Sequence, residues 1–466
     1  MSIKAGNAIL LRFNMRINYL IKMVNSKVIQ LINTKKEKVA VILSFFLLIA
    51  CESRDTKRAE DDDRIITELN QDEIQQRQGT IALLGATLID GTGAEAIRKS
   101  AVIIEDNIIS AVGRQEETEI PEGAEIVNLD GLTLLPGLID AHYHNGYSQV
   151  MPPLFLSKGI TSVRDPGAWM DFYDSVRMSG KKIPRLFLTG PHIDMYPPAY
   201  PGNSYLVKDP EEARLAVALF ASQGATAIKV YFRLPVAIIR SICEEAHERG
   251  IPVTAHLEIT NARDAINAGL DGIEHITSFG TCLLPPREVE KYKQAVLADN
   301  DARKRGRYEA WNSIEMSDNP EVDSLIQFLT KKKTFVTPTL AIFEKQSHDS
   351  DSVEVNGFAN MLRFVELAHK AGAEIVVGSH TWVPYAEMGF AYFREMELLQ
   401  DAGLNTMEII QAATLSNARF LRISERLGSI EPGKLADLLV IEGDPLKNIR
   451  AMRNVRRVML NGAWVE

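Results

Sequence analysis

The chain has 466 residues, of which 45% are hydrophobic and 24% are charged, as in a folded globular protein. This length allows a large barrel with a smaller domain, or about two to three ordinary domains. The net charge of −9 gives no electrostatic reason to expect a nucleic-acid partner. The three cysteines, Cys51, Cys243 and Cys282, lack CxxC spacing, so neither a disulfide framework nor a thiolate zinc site is expected.

Residues 1–50 have the pattern of a signal peptide. The basic stretch KKEK at 35–38 precedes VAVILSFFLLIA, an apolar run that is too short to span a bilayer comfortably. The following LIAC, residues 48–51, resembles the lipobox of bacterial lipoproteins, where the chain is cut before the cysteine and the new terminus is lipidated. The alternative is a buried thiol after a core strand. The pattern favours lipidation of Cys51 and a membrane anchor in the bacterial cell envelope.

The residues around this signal lead to three further expectations, on the translation start, the target membrane and the segment that follows. Met23 lies closer to it than Met1 does and is an alternative translation start. Glu52, rather than an aspartate, follows the cysteine, which favours the outer membrane over the inner one. Residues 51–78 are polar, with four acidic residues at 60–63, and are expected to form a solvated tether.

Short alternating strands with glycine turns dominate both ends of the remaining chain. Residues 79–136 include SAVIIEDNIISAVG, and residues 426–466 include VRRVMLNGAWVE. These two segments are expected to build one small β-sandwich together. Residues 137–425 alternate instead between strand and helix patterns, with eight candidate strands that end near His142, Asp165, Gly190, Tyr231, His256, His275, Thr339 and His380. The predicted fold is therefore α/β, a (β/α)8 TIM barrel with a small β-sandwich domain.

One helix start has a strong local signal. Asn405 with Glu408 three residues later is the pattern of a capping box, in which each side chain accepts a backbone N–H of the other residue. It predicts a helix over MEIIQAATLSNARFL.

Five of the nine histidines fall at the predicted strand ends: His142, His144, His256, His275 and His380. The first two stand two apart on an apolar strand, so their side chains point to the same face, as two ligands of one metal would. An HxH pair alone is weak evidence, because histidines on a half-buried strand are often only polar decoration. A barrel, however, would bring all five histidines together at one end.

Lys229 in ATAIKVYF is unusual because lysine is rarely buried without a partner. A salt bridge with a neighbouring strand is one explanation. Desolvation or nearby cations would instead favour the neutral amine, which can be carbamylated by carbon dioxide and then acts as a carboxylate that bridges two metals.

These motifs together resemble the metal-dependent amidohydrolase superfamily, especially its imidazolonepropionase-like and Xaa-Pro dipeptidase-like members. The resemblance lies in PGLIDAHYH, the GATAIKV lysine, the TAHLE and IEH histidines and SIEPGKLADLLVIEGDP, and it runs from about Thr80 to the C-terminus. It implies a hydrolase of C–N bonds in a small amide, cyclic amide or dipeptide-like substrate, with metal-bound hydroxide as nucleophile.

The resemblance also implies a ligand set. His142 and His144 would bind one metal, His256 and His275 a second, and carbamylated Lys229 would bridge the two. Zinc, one ion or two, is expected because imidazole and oxygen ligands with open positions suit it.

His380 departs from the family pattern, which has an aspartate at this position as a metal ligand and proton acceptor. A histidine can do either task but hardly both, so His380 and Glu387, in the loop beyond it, are the candidate bases. Glu274 is expected to point away from the site, because strand alternation places it opposite His275. This departure keeps an alternative open, in which a repurposed member binds a small ligand with weak or altered activity.

The candidate substrate-binding residues are His192, Tyr231 and Arg233, although a loop hydrogen bond for His192 and a surface ion pair for Arg233 are equally compatible with the sequence. The aromatic and proline-bearing loop over 195–205 is expected to cover the site. A homo-oligomer is compatible with the sequence.

Overall fold

Parallel strands alternate with helices through the middle of the chain in the computed structural model, which describes residues 66–465. The strands are β1 Thr80–Leu84, β2 Thr87–Leu88, β3 Ser100–Glu105, β4 Ile108–Arg114, β5 Glu125–Asn128, β6 Leu132–Pro136, β7 Leu138–Asp140, β8 Ile160–Asp165, β9 Arg185–Leu188, β10 His192–Asp194, β11 Ser204–Leu206, β12 Ile228–Val230, β13 Val253–His256, β14 Gly272–Glu274, β15 Phe335–Thr337, β16 Glu374–Ile375, β17 Leu438–Glu442, β18 Val455–Leu460 and β19 Ala463–Val465.

The helices of the same region connect and cover these strands. They are α1 Met151–Ser157, α2 Asp174–Arg177, α3 Pro210–Ser222, α4 Val236–Glu248, α5 Ala262–Asn267, α6 Gly280–Leu283, α7 Pro286–Ala298, α8 Ala302–Ser313, α9 Pro320–Lys332, α10 Leu340–Phe343, α11 Ser352–Lys370, α12 Ala391–Asp401, α13 Thr406–Ala413 and α14 Leu415–Phe420. Between residues 66 and 465, no helix is both long and apolar enough to cross a bilayer.

The α/β class predicted for residues 137–425 is confirmed. Strands β7, β8 and β9 form one parallel sheet, and a second parallel sheet has the order β11-β10-β12-β13-β14-β15-β16. Seven of the eight predicted strands end within two residues of the expected position. The exception is β16, which ends at Ile375, five residues before His380.

Backbone hydrogen bonds also join the outer strands of these two sheets. Ala141 N donates to Val377 O (3.0 Å), and His380 N donates to His142 O (2.7 Å). On the other side, Thr226 N donates to Leu188 O (2.9 Å). The segments that follow β7 and β16 are therefore neighbours, which places the first and last histidines of the sequence pattern side by side.

The strands near the two ends of the described chain are interleaved in a pair of further sheets. Strands β4, β3, β1 and β5 form one sheet, while β19, β18, β17, β6 and β2 form the other. In the second, Leu132–Pro136 pairs antiparallel with Leu438–Glu442, so segments 300 residues apart complete one sheet. Both sheets contribute apolar side chains to a shared hydrophobic cluster that includes Leu83, Val102 and Met459.

The predicted helix start at Asn405 is confirmed, and the predicted length is wrong. The Asn405 side chain accepts from Glu408 N (3.0 Å), and Glu408 Oε2 accepts from Asn405 N (2.7 Å). The helix then breaks at Thr414, whose backbone leaves the helical region (φ −129°, ψ −92°), so two helices replace the single one that the pattern predicts.

Residues 66–70 of the predicted tether pack against the fold, whereas residues 71–78 are mostly exposed. Leu69 N donates to Leu186 O (2.8 Å), and Leu186 N donates to Asn70 Oδ1 (2.9 Å), which attaches this segment beside β9. Glu68 is buried in an ion pair with Arg185. A buried carboxylate needs such a partner, and the sequence pattern does not reveal one at a distance of 117 positions. Cys51, Met23 and the signal pattern lie outside the described residues.

Candidate active site

A cavity of about 460 Å³ opens at the carboxyl ends of the central strands. Its lining includes the five histidines of the sequence pattern together with one more histidine and the buried lysine: His142, His144, His192, His256, His275, His380 and Lys229. Catalytic and ligand-binding groups gather at this end of parallel strands in α/β folds because every strand delivers a residue to the same edge.

The two histidines of the HxH motif face one another. The Nε2 atoms of His142 and His144 are 3.0 Å apart, and their ring centroids are 4.8 Å apart. His380 stacks on His142 at 5.3 Å and lies edge-on to His144 at 4.9 Å. One ligand atom from each of these three residues lies within 4.8 Å of the others, so the three nitrogens form a candidate cation site.

His256 and His275 extend this cluster, and one ring nitrogen of each is engaged by a neighbouring side chain. The His275 ring is 4.5 Å from that of His142 and 4.4 Å from that of His256. His275 Nδ1 lies 2.7 Å from Thr339 Oγ1, whose own hydroxyl donates to Pro338 O. His256 Nε2 lies 3.0 Å from Glu258 Oε1. A proton on each engaged nitrogen leaves the other nitrogen with a lone pair for a metal.

Burial keeps these imidazoles neutral. It lowers the pKa of His256 to about 4, and it holds the pKa values of His142, His275 and His380 well below the usual value. Neutral imidazole is the form that ligates metals and accepts protons.

Glu274 points into the site, and the expectation that it faces away is wrong. Its carboxylate contacts His142 Nδ1 and Lys229 Nζ, and it accepts from Arg164 Nη2 (2.8 Å). Strand β14 ends at this residue, and the next residue, His275, departs from the strand conformation with a positive φ of +64°. The alternation of a strand therefore stops between the two, and both side chains reach the cluster.

The charges around Glu274 form a closed buried group. Burial raises the pKa of Glu274, but the charges of Arg164 and Lys229 and the hydrogen bond with His142 hold it well below its usual range. Arg164 is itself fully buried and also donates to Thr254 Oγ1 (3.0 Å). Lys229 therefore has the salt bridge that the sequence suggested, with the carboxylate of Glu274 two strands away.

Lys229 is also close to the neutral state that carbamylation requires. Burial lowers its pKa to about 8 against the opposing effect of Glu274, and the charge of Arg164 lowers it further. A minor fraction of the amine is therefore neutral near neutral pH, and the rest is the cation that pairs with Glu274.

Backbone strain accumulates around the cluster. His275, Thr339, His380 and Thr381 all have positive φ, a conformation that is uncommon for residues other than glycine and that concentrates at functional sites. Asp140 stabilises this region, since its Oδ1 accepts from His142 N (3.0 Å) and Ser379 N (2.9 Å).

Two predicted site residues lie away from the cavity. Glu387 is exposed and does not line the cavity, because the loop after β16 carries it outward to solvent. Arg233 is buried beside Phe232 and donates to Asn300 Oδ1 (3.2 Å). His380 is therefore the sole candidate base of the sequence pattern that the described structure places at the cluster.

The other predicted substrate contacts lie where the sequence suggests. His192 and Tyr231 both line the cavity and stack with ring centroids 4.6 Å apart. Tyr200 and Asn203 of the 195–205 loop also line it, so this loop forms part of the wall.

Helix α8 contributes residues that the sequence pattern does not reveal. Arg303 and Arg307 stand four positions apart on one face of this helix and line the cavity. Arg307 Nη2 donates to Glu258 Oε1 (2.6 Å). Burial raises the pKa of Glu258, but Arg307 and His256 lower it to about 2. In the sequence, DARKRGRYEAW has the composition of a solvated basic helix, and only its position in the fold turns two arginines inward.

The donor set fits a divalent metal. Nitrogens of two facing histidines approach to hydrogen-bond distance, further imidazoles have their outer nitrogens engaged, and carboxylates stand behind them. This combination of inner imidazoles and outer carboxylates is typical of histidine metal sites in enzymes. Fold and site together define an α/β protein with a candidate metal centre at the carboxyl ends of its parallel strands.

The amidohydrolase family model matches residues 133–465, and the chain belongs to this family. Among curated proteins, an imidazolonepropionase from Picrophilus torridus is 32% identical over 119 residues, which are 25% of this chain and 27% of that protein. Adenine deaminase 4 from Rhizobium meliloti is 24% identical over 406 residues, which are 83% of this chain and 57% of that protein. The chain thus spans about a quarter of the first relative and somewhat more than half of the second.

Solved structures show the same fold. A protein described as a candidate prolidase from Bifidobacterium longum superposes with a TM-score of 0.63 at 26% identity, covering 83% of this chain and 94% of that one. A Xaa-Pro dipeptidase with methionine bound in its active site gives a TM-score of 0.63 at 21% identity, covering 83% of this chain and all of that one.

The buried charge group makes a prediction that is independent of any metal. Glu274→Gln leaves the buried cations of Arg164 and Lys229 without their carboxylate, so in chelator-treated protein we expect a loss of about 3–5 kcal/mol in the free energy of unfolding. Adding Lys229→Met removes one of these cations and should recover part of the loss. Urea denaturation of the single and double variants measures this coupling.

Glu387→Gln is the matched control, because this carboxylate is exposed, and it should leave the denaturation midpoint unchanged. Equal stabilities for Glu274→Gln and wild type would contradict the inferred charge group.

Proposed function

We propose that the chain is a metal-dependent hydrolase that cleaves a C–N bond in a small amide, cyclic amide or dipeptide-like substrate. Membership of the amidohydrolase family and the hydrolases among its structural neighbours support the coarse assignment of a C–N hydrolase. The observation that carries the proposal is the convergence of five histidines on one cavity, with the outer nitrogens of His256 and His275 engaged by Glu258 and Thr339.

His142 and His144 would hold one metal, and His256 and His275 with Lys229 a second. His380 would act either as a third ligand of the first metal or as the base, because a neutral imidazole has only one lone-pair nitrogen. Zinc suits these ligands, and carbamylation of Lys229 would supply a bridging carboxylate. The low pKa of the lysine supports the modification, and the remaining Nζ–H of a carbamate would face Glu274. When bound, such ions polarise a carbonyl and lower the pKa of a water.

Side chains of the protein would position the substrate and transfer the proton. His192 and Tyr231 form one wall against which a substrate would lie with its carbonyl toward the histidines. His380, neutral because of its burial, has one ring nitrogen that can accept a proton. A low pKa makes it a weak acceptor, and this favours slower amide hydrolysis than a carboxylate would give at the same place.

The fold assignment also has a finer form. We propose that β7–β9 and β12–β16 close into a (β/α)8 barrel and that the two remaining sheets pack as a β-sandwich. The hydrogen bonds of Ala141 to Val377 and of Thr226 to Leu188, and the apolar cluster shared by both outer sheets, support these proposals.

Removal of ligands tests the metal proposal. Purified protein should carry about one to two equivalents of zinc, and changing His142 and His144 together to alanine should remove at least one, because both rings face the same point. His348→Ala, at an exposed histidine, is the control and should keep full occupancy. Wild-type protein that holds no metal and takes up no zinc on titration would refute the proposed centre.

His380→Asp tests the altered base. A carboxylate at this position should raise kcat/KM for amide hydrolysis by ~10²–10⁴, the usual contribution of general-base catalysis, at matched metal content. Glu387→Gln should be silent because that side chain is exposed. If His380→Asp or His380→Ala cripples an already efficient enzyme, His380 is an adapted ligand or base. If both forms hold metal and neither hydrolyses any amide in a broad screen, the ligand-binding alternative is favoured.

We propose further that the protein is anchored through Cys51 in the bacterial envelope, in the outer rather than the inner membrane, on the strength of the LIAC pattern. Cells fed a fatty-acid analogue should label wild type and fail to label Cys51→Ala. Recovery of the mature protein without lipid and with residues 1–50 intact would contradict the proposal.

A further inference from the structure

Arg303 is a buried cation without a counter-ion. Its side chain is 5% exposed and lines the cavity, and its Nε has no hydrogen-bond partner. Among the described residues, no carboxylate oxygen lies within 4.0 Å of its guanidinium nitrogens. Its Nη2 donates to the Tyr200 hydroxyl (2.6 Å), and its guanidinium lies 5.3 Å from the centre of that ring. Arginine is almost never buried unless it is paired.

Its neighbours on helix α8 show that the missing partner is specific to Arg303. Arg307, one turn further on, is neutralised by Glu258. Arg305 faces outward and pairs with Asp351 (2.7 Å) and Glu309 (3.3 Å). Lys304, which also lines the cavity, pairs with Asp301 (2.8 Å). Of these basic residues on α8, Arg303 is thus the one that lines the cavity without an anionic partner.

A line of aromatic rings connects this charge to the histidine cluster. The Tyr200 ring lies 5.7 Å from that of Tyr231, and the Tyr231 ring lies 5.0 Å from that of His256. A small substrate can therefore contact the cluster at one end and Arg303 at the other, with an apolar portion against the tyrosines between them.

We infer that Arg303 selects substrates that carry a carboxylate, held against its guanidinium and the Tyr200 hydroxyl while the scissile amide faces the histidines. This inference rests on the proposed hydrolase function and names its substrate class. Arginine and carboxylate form charge-assisted hydrogen bonds, which are among the strongest in proteins, and a buried site increases their strength. An uncharged amide leaves Arg303 unpaired and loses this contribution.

The test compares an N-acyl amino acid with its C-terminal carboxamide. Wild type should favour the free carboxylate in kcat/KM, and Arg303→Met should reduce that preference by about 10–100-fold, the usual value of a hydrogen bond to a charged group. Arg303→Lys should restore part of it. Arg305→Met, the same change at an exposed arginine of the same helix, should leave the preference unchanged. A preference that survives Arg303→Met, or is absent in wild type, overturns the inference.

A binding measurement distinguishes failure of this inference from failure of the proposed hydrolase function. Calorimetric titration with 3-phenylpropionate and with 3-phenylpropionamide needs no turnover. Tighter binding of the acid by wild type, lost in Arg303→Met, supports the carboxylate site even if no amide is hydrolysed. Binding of the acid that is equal in wild type and Arg303→Met assigns the anion to another group and overturns the inference. Arg303→Met should fold as stably as wild type because it removes an unpaired buried charge, and its urea midpoint checks this.

Discussion

The buried carboxylate of Glu274 is the constraint on which the centre of this protein depends. It meets Arg164, Lys229, His142 and Thr254, which come from four other strands or their ends. Charges buried in a protein interior are costly unless every one has a partner, so the group is stable only as a complete set. The orientation of the first histidine and the neutralisation of the two buried cations both depend on that single carboxylate.

The same arrangement recurs around the rest of the cavity. Acids and hydroxyls stand behind the histidines, and the inner nitrogens are left free, as Glu258 and Thr339 show for His256 and His275. The histidine end of the cavity is therefore rich in imidazole nitrogens and its Lys229 charge is paired with Glu274, whereas the opposite wall carries the unpaired positive charge of Arg303. Such polarity orients a substrate that has one electrophilic and one anionic group.

Much of the strand framework and the inner site is predictable because the signals are local. Apolar runs that end in polar residues predict parallel strands, and the carboxyl ends of parallel strands meet at one edge, so the five histidines and Lys229 converge as expected. The capping box at Asn405 is likewise encoded within four residues. A helix start or a strand needs no knowledge of distant residues, and for that reason periodicity and capping patterns identify them.

The sequence alone thus determined the α/β class, the eight central strands and the six residues that converge at their ends. Tertiary structure decided what those residues face. The positive φ at His275 turns Glu274 inward against simple alternation, and packing carries Glu387 out to solvent. The fold also directs Arg303, from a helix that has the composition of a solvated one, into the cavity. Each of these outcomes depends on contacts between residues that are distant in the chain. Burial, charge pairing and backbone strain at such contacts arise only in the folded molecule, so no local sequence pattern contains them.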